Sequence, residues 1–340
     1  MNGSALKGWL SSPLRVVGGL VVAFIFACFI LMKINSGDYL LLPDIAHPVA
    51  PLVKVDGGKP SHGGGELFFV DVQEQQASDF DTLFQSVLHP HSALIPAKEL
   101  IPPGINNRQY QRIGLLEMKL SKEVAPIVAE RRLGYHVVFK SLTRVDVVDP
   151  QSHAVGILRP GDTILAVNGV PTPTSDSLRR EVEKVKPGAV VSLRIHRGSG
   201  TQTVRVKTIN SGGTPIIGVE LATKVVLPVK VTIDSGNIGG PSAGLAFTLE
   251  VMQKLGYDVT RGYKIAATGE MQPNGKVTAI GGVEQKTWGV RDAGAQIFLV
   301  PSDQGNAKTA EQFAGPNLRI IPVTSLDQAL HALAALPKLK

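Results

Sequence analysis

The sequence has little of what several classes of protein depend on. Cys28 is the single cysteine among 340 residues, so an intrachain disulfide and a cysteine-based metal cluster are excluded. Aromatic residues make up 5% of the chain, and Lys and Arg form no long run despite a formal net charge of +7. This composition argues against a nucleic-acid partner. Charged residues account for 19% and hydrophobic residues for 43%, which excludes a disordered chain and suits about two to three packed domains.

The longest apolar run is Val16–Met32, which has 17 residues and no charge. At about 1.5 Å per helical residue it would span roughly 25 Å, so it predicts a transmembrane helix. Lys7 and Arg15 precede it, and the positive-inside rule therefore predicts a cytoplasmic N-terminus and an extracytoplasmic location for the rest of the chain. The alternatives are a cleaved signal peptide, a lipoprotein signal ending at Cys28, and a buried core helix.

The next part of the sequence mixes short extended and helical patterns. Glu66–Val72 (ELFFVDV) predicts a strand, and Ser78–Leu88 predicts a short helix because its apolar residues recur at helical spacing. Gln109–Gly134 predicts a longer helix. His89 and His91 are separated by a proline, with no carboxylate at ligand spacing. We interpret them as loop histidines and predict no metal and no other cofactor.

Residues 135–209 combine short β-patterned runs with one amphipathic helix. In the stretch AVGILRPGDTILAVNGVPTPTSDSLRREV a strand lies between a Pro-Gly turn and the Asn168-Gly169 turn, and the helix Thr174–Val185 follows. This stretch resembles a PDZ domain, a small, partly open β-barrel. The resemblance implies that an extended peptide or a C-terminal tail adds as a strand beside the longer helix. We expect Leu133–His136 to supply the loop for the peptide carboxylate; the alternative is a domain that serves only as a spacer.

Beyond Gly212-Gly213 the pattern changes and leads to a serine with unusual neighbours. The segment GGPSAG (Gly239–Gly244) precedes a helical pattern, and Pro241 fits the first turn of that helix. Ser242 is therefore expected at a helix N-terminus. Free backbone N–H groups and the positive end of the helix dipole can stabilise an oxyanion there.

A serine nucleophile needs a base to remove its proton. No histidine occurs between His196 and His331, so the local sequence offers no Ser-His pair. Lysine is the other option, provided that burial lowers its pKa toward neutrality. Lys286 is the candidate because the preceding run, AIGGVEQ, is apolar or glycine-rich apart from Glu284 and Gln285.

Three segments of this region, GGPSAG, TGE and GGVEQK, together resemble the proteolytic domain of the Lon family of serine proteases. The resemblance places Ser242 on the family's nucleophile and Lys286 on its general base. It places Thr268 on the threonine whose hydroxyl contacts that lysine.

The same resemblance bears on the loop around the serine. It implies that the loop residues Gly239, Gly240 and Ala243 bind the substrate and its oxyanion. One position departs from the pattern, because Lon enzymes with an attached ATPase often carry Asp three residues before the serine, where this chain has Gly239. We expect this difference to alter how the site is gated.

The order of these segments resembles the bacterial membrane-anchored PDZ–Lon-like proteases of the YlbL type. It implies an α+β multidomain chain. The expected parts are a cytoplasmic tip and transmembrane anchor (1–34), an N-terminal β/helical region (35–134), a PDZ domain (135–210) and a Lon-type α/β proteolytic domain (211–340). It further implies a single-pass protein of the cell membrane, with residues 16–32 in contact with lipid, and a homo-oligomeric ring.

The expected function is that of an ATP-independent serine endopeptidase, because the sequence contains no Walker A motif. Its substrates would be flexible or unfolded segments of envelope and membrane proteins, recruited or gated by the PDZ domain. One alternative is a catalytically silent PDZ scaffold at the membrane. Another is an α/β-hydrolase-type esterase, because Gly-Pro-Ser-Ala-Gly also fits G-x-S-x-G and Ser242, Asp303 and His331 follow in the right order. Substitution of Lys286 or of His331 separates the two enzymes.

Overall fold

The computed structural model of the protein describes residues 13–58 and 64–339. They form two compact units. The split unit comprises the described residues up to Tyr135 together with those from Val229 onward, and the inserted unit comprises His136–Pro228. The chain therefore leaves the split unit once, builds the inserted unit and returns.

Several helices begin at side-chain caps that the sequence supplies. Ser78 with Asp81, and Asn106 with Gln109, form reciprocal capping boxes that satisfy backbone N–H groups of the first turn. In chain order the helices are α1 (Pro13–Leu31), α2 (Asp79–Leu88), α3 (Ala97–Leu100), α4 (Asn107–Arg132), α5 (Ser175–Glu183), α6 (Gly244–Lys254), α7 (Val283–Asp292), α8 (Asn306–Phe313) and α9 (Leu326–Ala334). The predicted helices at 78–88 and 109–134 correspond to α2 and α4.

The strands are short and distribute among several sheets. In chain order they are β1 (Asn35–Pro43), β2 (His47–Pro48), β3 (Val53–Val55), β4 (Glu66–Phe69), β5 (Val72–Ser78), β6 (Ala93–Pro96), β7 (Val138–Val148), β8 (Thr163–Val167), β9 (Val170–Pro171), β10 (Val190–Arg197), β11 (Gly200–Lys207), β12 (Ile209–Ser211), β13 (Thr214–Ile216), β14 (Val219–Val226), β15 (Val231–Ile233), β16 (Lys264–Ala267), β17 (Glu270–Met271), β18 (Val277–Thr278), β19 (Ile297–Pro301) and β20 (Arg319–Val323).

The main sheet of the split unit has the order β2-β4-β16-β19-β20, and its last four strands are parallel. Successive side chains along a strand point to opposite faces, and helices cover both faces of this sheet. Phe69 and Leu299 pack into the core that includes residues of α4, α6 and α9. Phe68 and Phe298 pack into the core that includes residues of α7 and α8. The apolar runs of β4 and β19 are therefore those of a doubly covered parallel sheet.

The predicted strand Glu66–Val72 is interrupted in the structure. β4 ends at Phe69 and β5 begins at Val72. β5 belongs to another sheet, with the antiparallel order β5-β1-β6. Val70 and Asp71 thus connect the two sheets, and the structure corrects the prediction of one continuous strand because hydrogen bonding passes to a different partner there.

The units do not follow the predicted domain boundaries. Residues 35–134 do not form a region of their own, because β4 lies inside the main sheet and Met118 and Ala125 of α4 share a core with α6. Residues 211–228 belong with the inserted unit, because β14 pairs with β7 there. The inserted unit thus ends at Pro228, beyond the domain boundary predicted at 210.

The inserted unit is a five-strand path with one main helix. The strand order is β11-β10-β8-β7-β14, with β9 paired to β8, and the pairings are antiparallel. Leu178 and Val182 of α5 pack on a core that contains Ile164 and Leu193 from the strands. The order of β8, α5, β10 and β11 agrees with the pattern read from the sequence, whereas the two extended runs predicted within His136–Val148 form the single strand β7 and no short helix follows it in this described stretch.

The apolar N-terminal segment gives a different result from the prediction. In the part of the chain that the structure describes, no helix combines the length and apolar character that crossing a membrane requires. Residues 1–12 of the predicted cytoplasmic tip, including Lys7, lie outside the described residues.

Candidate active site

Ser242 lies where the chain enters α6. Ala243 is the N-cap residue of that helix, and no side chain caps its first turn. The backbone N–H groups of Ser242 and Ala243 make no hydrogen bond within the described residues. Gly240, two residues before the serine, has φ of +82°, which favours glycine. The sequence GGPSAG thus directs a hydroxyl and two unused N–H groups to one helix end.

Lys286 reaches this serine from the first turn of α7. The helix begins after Gly282, whose φ is +67° and where an added Cβ would lie 2.9 Å from a methyl carbon of Val72. The Lys286 side chain is buried, with 3% of the residue exposed. Its Nζ lies 2.9 Å from Oγ of Ser242, within hydrogen-bond distance. The structure therefore brings together the two residues that the sequence singled out 44 positions apart.

The surroundings of Lys286 favour its neutral form. Burial lowers the pKa of its ammonium group to about 8, and the negative charges of Asp71 and Glu74 oppose this shift. Burial also raises the pKa of Asp71, helped by the nearby charge of Asp44. A lysine with a pKa near 8 carries a substantial neutral fraction at physiological pH, and a general base must be neutral to accept a proton.

The hydroxyl of Thr268 has a different hydrogen-bond partner from the one expected. Its hydroxyl donates to the main-chain carbonyl of Ser242 at 3.3 Å, and the N–H of Gly269 donates to the same carbonyl at 2.8 Å. Thr268 is fully buried. The expected contact with Lys286 is absent from the hydrogen bonds of the described residues, so Thr268 fixes the backbone of the nucleophile rather than the amine of the base.

α4 contacts the same loop at two points. The hydroxyl of Ser121 donates to the carbonyl of Pro241 at 3.3 Å. The carbonyl of Gly114 accepts from the N–H of Gly240 at 2.8 Å. Of the three predicted oxyanion and substrate residues, Ala243 has a free N–H, Gly240 has an occupied one, and Gly239 is exposed beside Gly114.

The residues of the alternative esterase do not assemble around Ser242. His331 is exposed on α9, and Asp303 lies in a 3₁₀ turn before α8. Ser242 Oγ is hydrogen-bonded to Lys286, and the described residues show no hydrogen bond between Ser242 and an imidazole. The structure thus gives the serine an amine partner and no histidine.

Asp71 was not among the residues predicted from the sequence. Oδ1 of Asp71 is buried without a hydrogen-bond partner. One signal was present, because Asp71 interrupts the apolar run ELFFVDV. Within the described part of the chain, Asp44, His47 and Asp71 form a group that could hold a cation, because their ligand atoms lie within 4.8 Å of one another. All three are half-buried, and Asp44 Oδ2 already accepts from Gln73.

The two loop histidines have structural partners. His89 Nε2 lies 3.4 Å from Asp81 Oδ1 at the start of α2. The ring of His91 stacks on Trp288, with 3.5 Å between ring centroids. Both contacts agree with the interpretation that these are loop histidines.

The inserted unit has a groove between α5 and the segment leading into β14. Its lining residues come from two stretches of the chain, Ser175–Val182 and Pro215–Leu221. β14 is the last strand of the sheet order, so its second edge is not paired in the sheet. The loop expected at Leu133–His136 does not line this groove. The segment Pro215–Gly218, which precedes the edge strand β14, lines it instead.

Two family models match parts of this chain. Residues 219–335 match the family model of the Lon protease (S16) C-terminal proteolytic domain, and residues 127–208 match that of the PDZ domain. A Lon protease from Chloroflexus aggregans is 29% identical over 236 residues, which is 64% of this chain and 28% of the relative. A Lon protease from Brucella abortus is 35% identical over 104 residues, 29% of this chain and 12% of the relative.

Part of this chain is also similar to solved structures of PDZ domains. The crystal structure of the PDZ domain of the SdrC-like protein from Listeria innocua is 27% identical, covers 24% of this chain and 92% of its own, and gives a TM-score of 0.23. The chain spans only 28% and 12% of the lengths of the two Lon proteases above. It combines a PDZ domain with a proteolytic domain of the Lon protease family.

Proposed function

We propose that this chain is a serine endopeptidase in which Ser242 is the nucleophile and Lys286 the general base. The observation that carries the proposal is the distance of 2.9 Å between Lys286 Nζ and Ser242 Oγ, with the lysine buried. The match to a Lon-type proteolytic domain supports peptide-bond hydrolysis as the reaction.

The proposed reaction proceeds in two proton-transfer stages. Neutral Lys286 removes the proton of the Ser242 hydroxyl while the oxygen attacks the peptide carbonyl carbon. The resulting ammonium then protonates the leaving amine, and an acyl-enzyme remains. In the second stage Lys286 takes a proton from water, the hydroxide attacks the ester, and the proton returns to Ser242 as the product acid leaves.

The unused N–H groups of Ser242 and Ala243 are the proposed oxyanion donors. Both lie at the N-terminus of α6, where the helix dipole adds to their effect. Loss of a single oxyanion donor typically costs about 10²–10³ in kcat. Backbone N–H groups cannot be removed by side-chain substitution, so this part of the proposal is tested by the bound geometry of a peptide boronate.

The proposed substrates are flexible or unfolded polypeptides. The sequence contains no Walker A motif, and we propose that cleavage proceeds without ATP. The groove between α5 and β14 would recruit substrate by strand addition. Attachment to a membrane through 16–32, the extracytoplasmic location and the ring assembly stay predictions of the sequence.

The test is cleavage of an unfolded protein such as casein by the full chain without ATP. Wild type should cleave, whereas Ser242→Ala and Lys286→Ala should each lose activity by at least about 10³-fold. His331→Ala is the matched control and should retain full activity. Retention of activity in Lys286→Ala together with its loss in His331→Ala would establish the esterase alternative, and equal inertness of wild type and Ser242→Ala would establish the scaffold.

A further inference from the structure

The first turns of α4 make hydrogen bonds to Glu74, whose charge acts on Lys286, and to Gly240, which lies close to Ser242 in the chain. The Tyr110 hydroxyl donates to Oε2 of Glu74 at 3.2 Å, and the charge of Glu74 acts on Lys286. One helical turn later, the carbonyl of Gly114 accepts from the N–H of Gly240, two residues before Ser242. A single turn of helix thus connects the base side of the pair to the nucleophile side.

The approach of α4 to the loop is backbone to backbone. A Cβ on Gly239 would lie 3.4 Å from the carbonyl carbon of Gly114, and a Cβ on Gly114 would lie 3.5 Å from the nitrogen of Gly240. The N–H of Gly240 is therefore occupied by the protein's own carbonyl. An extended substrate could pair with this N–H only after the carbonyl of Gly114 had left it.

This part of α4 is held more weakly than the rest of the helix. The first buried residue of α4 is Met118, and the buried residues continue from there to Glu130 with gaps. Before it, Ile113, Leu115 and Leu116 are 40%, 47% and 52% exposed. Segments that contribute few side chains to a core open at low free-energy cost, independently of global unfolding.

The geometry points to residues 107–117 as a lid that closes the Ser242–Lys286 site and must open before a polypeptide can pair with the loop at Gly240. This inference rests on the proposed function, because it concerns the regulation of that site. In the closed state the lid satisfies Gly240 and Glu74. In the open state a substrate backbone takes the place of the Gly114 carbonyl.

Two variants are expected to shift the equilibrium between the open and closed states of the lid in opposite directions. Gln111→Gly with Leu115→Gly changes two exposed residues, and each glycine lowers the helical population by about 5-fold. Gly114→Ala stabilises the helix by a similar factor, and its Cβ would be in ordinary contact with Gly240. Leu83→Gly with Val87→Gly is the matched control, because these residues are also four apart and exposed, on α2.

The first readout is hydrogen exchange of the Gly240 amide, and the second is the rate at which a β-lactone probe acylates Ser242. The double-glycine lid variant should accelerate both by up to about 25-fold, Gly114→Ala should slow both by about 5-fold, and the α2 control should leave both unchanged. A folding defect cannot mimic a faster acylation. The lid is overturned if the exchange and acylation rates stay the same in both lid variants.

The outcome separates the lid from the proposed function. If casein cleavage depends on Ser242 but its rate is the same in both lid variants as in wild type, the lid is refuted and the proposed peptidase activity is retained. Absence of Ser242 acylation and of cleavage in wild type refutes the peptidase. If the exchange of Gly240 still responds in opposite directions in that case, the closing contact itself is upheld.

Discussion

The protonation of Lys286 should control the pH dependence of turnover. Only the neutral amine can accept the proton of Ser242, and burial lowers the pKa of Lys286 to about 8. At pH 7 the neutral fraction is then about one tenth, and at pH 8 it is about one half. Acylation should rise about tenfold between pH 6 and 7, less than twofold between pH 8 and 9, and then level off.

The charge of Asp71 offers a way to move this profile. Asp71 favours the ammonium form of Lys286 and therefore raises its pKa against the larger effect of burial. Asp71→Asn keeps the shape of the side chain and removes the charge, so the midpoint of the profile should shift to lower pH. Asp292→Asn, an exposed carboxylate on the same helix as Lys286, should leave the midpoint unchanged.

The assay is single-turnover acylation of Ser242 by a fluorogenic peptide ester between pH 5.5 and 10. Single-turnover rates isolate the proton-transfer step from product release. A profile that is flat across this range, or a midpoint that moves to higher pH in Asp71→Asn, would refute the assignment of Lys286 as the base.

The remaining predictions concern stability, the nucleophile and the groove. The folded pKa of Lys286 lies below its unfolded value of 10.5, so the cost of burying it is fully present below pH 8 and disappears as the pH rises toward 10.5. Lys286→Met should therefore abolish activity yet stabilise the fold at pH 7 by up to about 3 kcal/mol. Thr268→Val removes a bond to the Ser242 carbonyl and should lower kcat about 5-fold without moving the pH midpoint. Ile216→Asn, in the groove lining, should weaken binding of apolar C-terminal peptides while leaving cleavage of a short peptide ester unchanged.

Each of these three predictions is tested by a separate measurement. Urea unfolding of Lys286→Met is compared with that of Lys308→Met, an exposed control expected to change stability by less than about 0.5 kcal/mol; destabilisation of Lys286→Met would contradict the burial cost. A shifted pH midpoint in Thr268→Val would mean that Thr268 acts on Lys286 after all. Fluorescence anisotropy measures the affinity of Ile216→Asn for the peptide. An unchanged affinity would refute the groove as the peptide-binding site.

Local patterns in the sequence were sufficient for several parts of the fold. The helix at 109–134 was readable because apolar spacing and caps act within a few residues. The place of Ser242 just before a helix was also readable from the local sequence, although Pro241 precedes the helix instead of lying in its first turn, because Ala243 is the N-cap residue. The strand and turns around Asn168-Gly169 were likewise local.

Other features depended on contacts between distant parts of the chain. The run Glu66–Val72 looks continuous, but its two ends pair with different sheets, and no local signal specifies the pairing partner. Thr268 was assigned to Lys286 by resemblance, yet its hydroxyl bonds to Ser242. The peptide was expected beside the longer helix, which does line the groove, but the residues of 215–221 on its other side were not predicted, because the pairing of β14 with β7 is a long-range contact.

The sequence by itself determined which residue types could perform the chemistry: a serine at a helix start, a lysine in an apolar setting, and no histidine nearby. The tertiary structure alone decided that Ser242 and Lys286 lie 2.9 Å apart, that the charge of Asp71 acts on the lysine, and that the carbonyl of Gly114 accepts from the N–H of Gly240. The physical reason is the distance along the chain over which each kind of interaction acts. Helix spacing and turn preferences act over a few residues, whereas distances between residues more than 40 positions apart are fixed only when the sheet and its covering helices pack.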